Sequence, residues 1–283
     1  MENNKKLTIG MATYDDYDGV YFTIQALRLY HNIINEMETE FVVLDNNPNG
    51  RHGKDVEKFI NQINERYIPY DEKPSSFNKY KIVDYARGEY VIIMDCHVLL
   101  MPNAINEIMN YFNKNPDTKN LIQGPMFNQN LKTYNTHWEP KYRGHMYGIW
   151  ANNKELYDKG DPFEIPLQGM ALLGFKKENF PKISDYFFGF GGEEWIIHDY
   201  FRKNGGKILC HPKFSWVHRF DRPNGIPFRL VLEDRVFNYF IGCLDIHNNP
   251  DHFFIKETYE HFKNELPSGV IDKLLEKAIN LKK

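Results

Sequence analysis

Apolar and polar positions follow two alternating periods along the first 120 residues. Short runs of β-branched and other apolar residues, each ending in turn-forming residues, predict strands over residues 7–14, 40–44, 66–70 and 90–95. Between these runs, apolar residues spaced three and four apart predict helices. The predicted helices cover residues 20–31, 55–64, 77–85 and 104–112. Strands that alternate with helices are typical of an α/β fold, in which a mostly parallel sheet is flanked by helices.

The pattern changes after residue 120. Apolar runs predict further strands at 121–127, 170–175 and 207–211, and a helix over 193–204. Residues 128–161 show no clear period and are predicted as a long loop, and a loop of this length in a compact domain is usually functional. Residues 212–227 are predicted as a loop. The rest of the chain is predicted as helical, with polar breaks at 248–250 and 267–269.

The length and composition favour one large domain with an appendage. The chain has 283 residues, of which 42% are hydrophobic, so it can bury a substantial core. The shifts in pattern predict a main domain over residues 1–227, with halves 1–120 and 121–227. They also predict a helical C-terminal extension over residues 228–283.

The central candidate for chemistry is the apolar run 90–95, which ends in Asp95-Cys96-His97. In an extended segment, residues two apart point to the same side, so Asp95 and His97 present an oxygen and a nitrogen ligand together. Open α/β sheets bind ligands at the carboxyl ends of their strands. His218, which follows the apolar Trp216-Val217, is the best third ligand. Two histidines and one carboxylate suit Mn²⁺ or a similar ion, here one that holds a diphosphate.

A second candidate is the pair Glu193-Glu194, which follows Gly191-Gly192. Glycines let a backbone approach a ligand, and acids are favoured in the first turn of a helix by its dipole. The pair could therefore be an ordinary helix start. The flexible, apolar stretch 187–192 before it favours catalysis or acceptor binding instead.

Two further strand ends carry polar side chains. Thr13 and Asp15 follow the first predicted strand, and Asp45 follows the second. Each could receive hydrogen bonds from a nucleobase or ribose, or could belong to an ordinary turn. Because parallel strand ends converge on one crevice, the set is more informative than any member.

Charge and cysteine usage narrow the class of protein. The formal net charge of -3 gives no global basic field, although basic residues between Arg202 and Arg235 leave a nucleic-acid partner open. Three cysteines, far apart and odd in number, favour a reducing compartment. No apolar stretch is long enough to span a bilayer, and the polar first residues are unlike a signal peptide. A soluble, cytoplasmic protein is expected.

Four segments together resemble the nucleotide-sugar-dependent glycosyltransferases of the GT-A fold, over roughly residues 7–222. The segments are 86–97, 168–175, 190–194 and 217–220. The Asp-x-His form of the first is similar to that of polypeptide N-acetylgalactosaminyltransferases. Phe190-Gly191-Gly192-Glu193-Glu194 is similar to the Trp-Gly-Gly-Glu-Asn of the same enzymes. Glu194 stands where those enzymes have Asn, so both retaining and inverting chemistry stay open.

The resemblance implies a Rossmann-like GT-A domain with a nucleotide-binding half and an acceptor or catalytic half. It implies that Asp95, His97 and His218 bind Mn²⁺, or Mg²⁺, and through it the diphosphate of a UDP-sugar. It also implies that Glu193 contacts the sugar or acceptor and that Glu194 is a base if the reaction inverts configuration. If the reaction retains configuration, Glu193 and Glu194 would instead orient the sugar and acceptor. The implied donor-binding residues are Thr13, Asp15, Asp45, Asn78, Lys79, Arg219 and Arg222.

The function that follows is transfer of a hexose or N-acetylhexosamine from a UDP-sugar to a hydroxyl acceptor. The acceptor could be a polysaccharide, a protein, a small molecule or a modified DNA base. One alternative is a non-catalytic module that binds a nucleotide-sugar or glycan. Another is a metal-dependent nucleotidyltransferase or phosphohydrolase, because acids at parallel strand ends serve those reactions too.

Overall fold

The computed structural model describes residues 5–73, 75–221 and 230–282. Its strands are β1 (Lys5–Thr13), β2 (Thr39–Asp45), β3 (Arg66–Pro69), β4 (Gly88–Asp95), β5 (Val98–Leu100), β6 (Leu121–Gln123), β7 (Met126–Phe127), β8 (Tyr134–Asn135), β9 (His137–Arg143), β10 (Met146–Ala151), β11 (Phe163–Glu164), β12 (Leu172–Lys176), β13 (Ile208–Cys210) and β14 (Trp216–His218). Its α-helices are α1 (Tyr17–Tyr30), α2 (Ile33–Glu36), α3 (Gly53–Gln62), α4 (Ile82–Tyr85), α5 (Ala104–Lys114), α6 (Lys154–Lys159), α7 (Glu193–Lys203), α8 (Leu232–His247), α9 (Phe253–Phe262) and α10 (Val270–Asn280). Two short 3₁₀ helices cover Ser76–Lys81 and Lys177–Asn179.

The large sheet has the strand order β11-β13-β6-β12-β4-β1-β2-β3. Strands β4, β1, β2 and β3 are parallel, and β12 joins β4 in the antiparallel direction. Most residues of β1, β2 and β4 are buried, as expected for strands covered on both faces. This sheet confirms the predicted α/β class. Its register pairs Ala12 with Asp95 and Thr13 with Asp45, so three strand ends lie at one level.

A smaller sheet with the order β5-β14-β7-β8 corrects two expectations. The predicted strand over 121–127 is split into β6 and β7 at Gly124-Pro125, where a Cβ on Gly124 would lie 1.7 Å from the carbonyl oxygen of Phe214. The predicted loop over 212–227 contains β14, which pairs with β5 and places His218 opposite Val98. This pairing carries His218 to the end of β4.

The expectation that residues 128–161 lack regular structure is wrong. They contain β8, α6 and the antiparallel hairpin β9–β10. Most residues of β9 are exposed, so the sequence has no apolar alternation there, and only Trp138 of that strand is fully buried. The hairpin nevertheless packs Trp138 and Tyr147 into the same core cluster as α7.

The helical C-terminal part is confirmed as α8, α9 and α10. Helix α8 is buried over most of its length and packs against α7. Its apolar residues join those of α7 and the hairpin in one hydrophobic cluster. The predicted boundary at 227 lies outside the described residues. No helix within the described ranges combines the length and the apolar character that crossing a membrane requires.

Candidate active site

A cleft of about 890 Å³ opens at the carboxyl ends of β1 and β4. Its walls come from the strand ends, from the segment before β12, from the start of α7, from β14, from the hairpin β9–β10 and from α8. Residues that line the cleft and bear on its chemistry are Thr13, Asp15, Asp16, Lys79, Asp95, His97, Trp138, Glu193, Glu194, His218 and Arg235. The topology therefore brings most of the sequence-predicted residues into one cavity.

The metal-ligand candidates Asp95, His97 and His218 lie together in this cleft, with one ligand atom of each within 4.8 Å of the others. The Oδ2 atom of Asp95 is 3.8 Å from Nε2 of His97 and 3.8 Å from Nε2 of His218. The two imidazole rings stand almost perpendicular, with centroids 5.0 Å apart. The two Nε2 atoms thus face the same carboxylate oxygen, as a shared ion would require.

The surroundings of Asp95 keep its carboxylate ionised. Burial alone would raise its pKa, but Lys79, together with His218 and His97, outweighs burial and holds the pKa of Asp95 well below its usual range. The Nζ atom of Lys79 is 3.5 Å from Oδ1 of Asp95 and also donates to the carbonyl oxygen of Met170 at 2.9 Å. An anionic oxygen and two imidazole nitrogens form a donor set that fits Mn²⁺ or a related divalent ion.

Asp16 orients His97 from behind. Its Oδ2 atom is 3.3 Å from Nδ1 of His97, on the side of the ring away from Asp95, and its Oδ1 atom accepts the N–H of Gly19 at the start of α1. A carboxylate behind a ligating histidine fixes the ring and its tautomer. Asp16 was not predicted as a site residue, because only the fold brings it behind a residue 81 positions away in the chain.

The change Asp16→Asn is expected to weaken Mn²⁺ binding by about 10- to 100-fold. Asn can still cap α1, so the helix should stay intact while the negative charge behind His97 is lost. Isothermal titration with Mn²⁺ measures the effect, and Asp18→Asn on the exposed face of the same helix turn is the matched control. An Mn²⁺ affinity equal to that of the wild type would show that Asp16 does not support His97 as a metal ligand.

The acid pair lies at the start of α7. Glu193 and Glu194 are buried, and Oε2 of Glu193 has no hydrogen-bond partner among residues 5–73, 75–221 and 230–282. Burial, reinforced by the neighbouring charge of Glu193, raises the pKa of Glu194 to about 7. A carboxyl group with this pKa can both take up and release a proton near neutral pH.

The predicted donor-side residues divide into two groups. Thr13, Asp15 and Lys79 line the cleft. Asp45 and Asn78 do not; both are buried and engaged within the protein. Asp45 accepts the hydroxyl of Tyr67 and the N–H of Asn47, and Asn78 donates to Asn46 and to the carbonyl oxygen of Lys73. These two side chains hold the loops that bear the cleft residues.

Of the two predicted arginines, Arg219 does not line the cleft. The side chain of Arg219 is exposed, and its backbone N–H donates to the carbonyl oxygen of His97 at 3.2 Å. Arg222 lies outside the described residues. The contact of Arg219 nonetheless ties the residue after His218 to the loop that carries His97.

Sequence reasoning missed two further residues of the cleft wall. Trp138 is buried against Gly148 and Gly169, and its Nε1 atom has no hydrogen-bond partner in the part of the chain that the structure describes. Arg235 reaches the cleft from α8. An aromatic residue in a polar stretch and a cation on a C-terminal helix carry no local signal of a site.

Comparison with known proteins gives a consistent picture of the chain. Residues 8–183 match the family model described as Glycosyl transferase family 2. A search of curated protein sequences found no match.

Solved structures share the fold at low sequence identity. The crystal structure of GalNAc-T7 with UDP, GalNAc and Mn²⁺ has a TM-score of 0.73 and 15% identity, covering 98% of this chain and 54% of that one. The chain therefore spans about half the length of GalNAc-T7. S. aureus TarS with UDP-GlcNAc has a TM-score of 0.59 and 12% identity, over 96% of this chain and 79% of that one. The mannosyltransferase PcManGT from Pyrobaculum calidifontis, with GDP-Man and Mn²⁺, has a TM-score of 0.54 and 11% identity, over 99% and 81%.

Proposed function

We propose a donor, a metal ion and a base for this chain, which belongs to glycosyl transferase family 2 and is a glycosyltransferase of the GT-A fold. The donor is a UDP-hexose or UDP-N-acetylhexosamine, and the acceptor provides a hydroxyl group. The observation that carries the proposal is the presence, in one cleft, of the ligand set around Asp95 and the acid pair at the start of α7.

The ligand set supports a divalent ion at the diphosphate. Asp95, His97 and His218 would hold Mn²⁺ or Mg²⁺, which, when bound, supplies positive charge to the departing nucleoside diphosphate. Two of the structural neighbours contain Mn²⁺, and all three contain UDP, UDP-GlcNAc or GDP-Man. Two of those three nucleotides are uridine nucleotides, which favours a UDP-sugar.

The nucleotide would occupy the side of the cleft beside β1. Asp15 has a positive φ of 51°, and its carboxylate accepts from the side chain of Asn47 and from the backbone N–H of His52. A carboxylate fixed in this way leaves little conformational entropy to lose when it meets a ligand. Asp15 and Thr13 would contact the nucleoside, and Lys79 would approach the phosphates. Asp45 and Asn78 would act one step away, by holding the loops.

The sugar would lie between the ligand set and α7. Trp138 offers an N–H and Glu193 offers a carboxylate oxygen, each buried without a partner among the described residues. Buried polar atoms are normally hydrogen-bonded, so a ligand rich in hydroxyl groups would satisfy both. Glu193 would orient the sugar. Glu194 would take the proton of the acceptor hydroxyl while the hydroxyl oxygen attacks the anomeric carbon.

A donor screen tests this function directly. The protein is incubated with Mn²⁺, host lysate and, in turn, UDP-glucose, UDP-galactose, their N-acetylamino analogues and GDP-mannose. We expect nucleotide release with at least one UDP-sugar, and a mass increase of one sugar residue on an acceptor. Release of nucleotide from GDP-mannose alone would overturn the proposal that the donor is a UDP-sugar. Donor binding without turnover would favour a binding module, and transfer of phosphate or nucleotide would favour the other enzyme class.

A further inference from the structure

Helix α8 holds the glycine turn, residues 188–192, which leads into Glu193 and Glu194. The side-chain amide of Asn238 donates to the carbonyl oxygens of Phe188 at 2.8 Å and Gly191 at 2.9 Å. One turn earlier, the guanidinium of Arg235 donates to the carbonyl oxygen of Phe190 at 3.4 Å and to that of His145 at 2.9 Å. Helix α8 therefore fixes the turn and joins it to the hairpin β9–β10.

The glycines of this turn are explained by these contacts. Gly191 and Gly192 have φ angles of 102° and 106°, a region that other residues rarely adopt. A Cβ on Gly191 would lie 2.2 Å from Nε of Arg235, and one on Gly192 would lie 3.0 Å from Cβ of Asn238. The glycines thus allow α8 to pack closely against this turn. The sequence had suggested instead that they let a ligand approach the backbone.

The position of Arg235 goes beyond that of a structural clamp. Its side chain is buried and lines the cleft together with Glu193 and Glu194. Arg51 and Arg143, which also belong to the described part of the cleft wall, are exposed. We propose that Arg235 is a positioning residue for glycosyl transfer: it fixes the turn that carries the acid pair and places a permanent positive charge beside it. This inference rests on the proposed role of Glu194 as the base.

Among the described residues, ionisable groups on three elements face Glu194. Glu193 lies beside it on α7, and Lys79 and the phenol of Tyr80 face it from the 3₁₀ helix over Ser76–Lys81. Arg235 and the phenol of Tyr239 face it from α8. Burial and Glu193 raise the pKa of Glu194, while Arg235 and Lys79 lower it. Removing the charge of Arg235 should therefore raise the pKa of Glu194 further, since its ionised form loses a favourable neighbour.

The change Arg235→Gln tests the inference, because Gln removes the charge and keeps an N–H that can donate. We expect the acidic limb of the profile of kcat/KM against pH to move to a higher pH by about one unit. At pH values below the limb, kcat/KM should fall by about tenfold relative to wild type, and at pH values above it kcat/KM should change little. Arg235→Met is a second neutral variant if Arg235→Gln does not fold. Arg235→Lys, which keeps the charge, should keep the limb of the wild type.

Two controls separate charge from clamping. Asn238→Ala removes three hydrogen bonds to the turn without a change of charge, so it should lower activity at all pH values and leave the limb in place. Lys273→Met removes one exposed positive charge on α10 and should change neither. A wild-type limb in the neutral Arg235 variants, or a shifted limb in Asn238→Ala, would overturn the inference.

Failure of the proposed function would look different. If Glu194 were not the base, the acidic limb would be absent already in the wild type, or would persist in Glu194→Gln. The Arg235 inference fails alone when Glu194→Gln abolishes the limb and the Arg235 variants leave it unmoved. Thermal unfolding and UDP binding of every variant confirm that the compared proteins are folded.

Discussion

Replacing Glu194 by Gln is expected to lower kcat by about 10³-fold while donor binding stays close to that of the wild type. Gln keeps the size of the side chain but cannot take a proton. Glu194 is buried at the start of α7 beside the cleft, so its loss should affect the chemical step more than the ground state. Initial rates of UDP release, with UDP affinity measured by calorimetry, give the two quantities.

The pH dependence follows from the sign of the shift. The pKa of Glu194 is raised to about 7, and a base acts in its ionised form. Activity of the wild type should therefore fall as the pH is lowered through about 7, whereas an unperturbed carboxylate would keep activity down to about pH 4. In Glu194→Gln the residual activity should no longer show this limb.

Glu276→Gln, at an exposed position on α10, is the matched control and should behave as wild type. Glu193→Gln provides the contrast, since loss of a sugar-orienting carboxylate should raise KM for the donor. The anomeric configuration of the product, determined by NMR, is expected to be inverted. Retention of configuration together with an active Glu194→Gln would mean that the pair only orients the sugar and acceptor.

The sequence was most informative where chemistry and local structure coincide. Asp95 and His97 follow an apolar strand directly, so their place at the sheet edge could be predicted from the sequence. The structure brings both ligand atoms together at the end of β4. Residues 96–97, however, form a turn and not the extended segment from which their shared side was predicted. His218 was found because an apolar pair precedes it, although the strand β14 that delivers it was not foreseen.

The same reasoning failed where a contact depends on the fold. Asp15 and Asp45 look alike in sequence, because each is an acid at a turn after a strand. In the structure Asp15 lines the cleft, whereas the carboxylate of Asp45 accepts hydrogen bonds from Tyr67 and Asn47. Only the three-dimensional arrangement distinguishes them. Arg235 is harder still, because its partners Phe190 and His145 lie 45 and 90 residues away in the chain.

Replacing Asp95 by Asn is expected to abolish measurable Mn²⁺ binding and to lower transfer by at least about 10³-fold. Asn has the shape of Asp but no charge, and Asp95 is the anion that Lys79, His97 and His218 all face. Without it, a dication would meet two imidazoles and an ammonium group, and electrostatic repulsion would oppose its entry. Mn²⁺ titration and UDP release measure the two effects.

Removal of the metal from the wild type should reproduce the Asp95→Asn result. EDTA is expected to stop UDP release and added Mn²⁺ to restore it, whereas Asp95→Asn should not recover at any Mn²⁺ concentration. Asp117→Asn, an exposed carboxylate after α5, is the matched control and should keep both metal binding and activity. Full transfer in EDTA would exclude a metal-assisted reaction. An enzyme of this fold that works without a metal would instead have to neutralise the charge of the departing diphosphate with Lys79. The change Asp95→Asn would release Lys79 from its ion pair with Asp95.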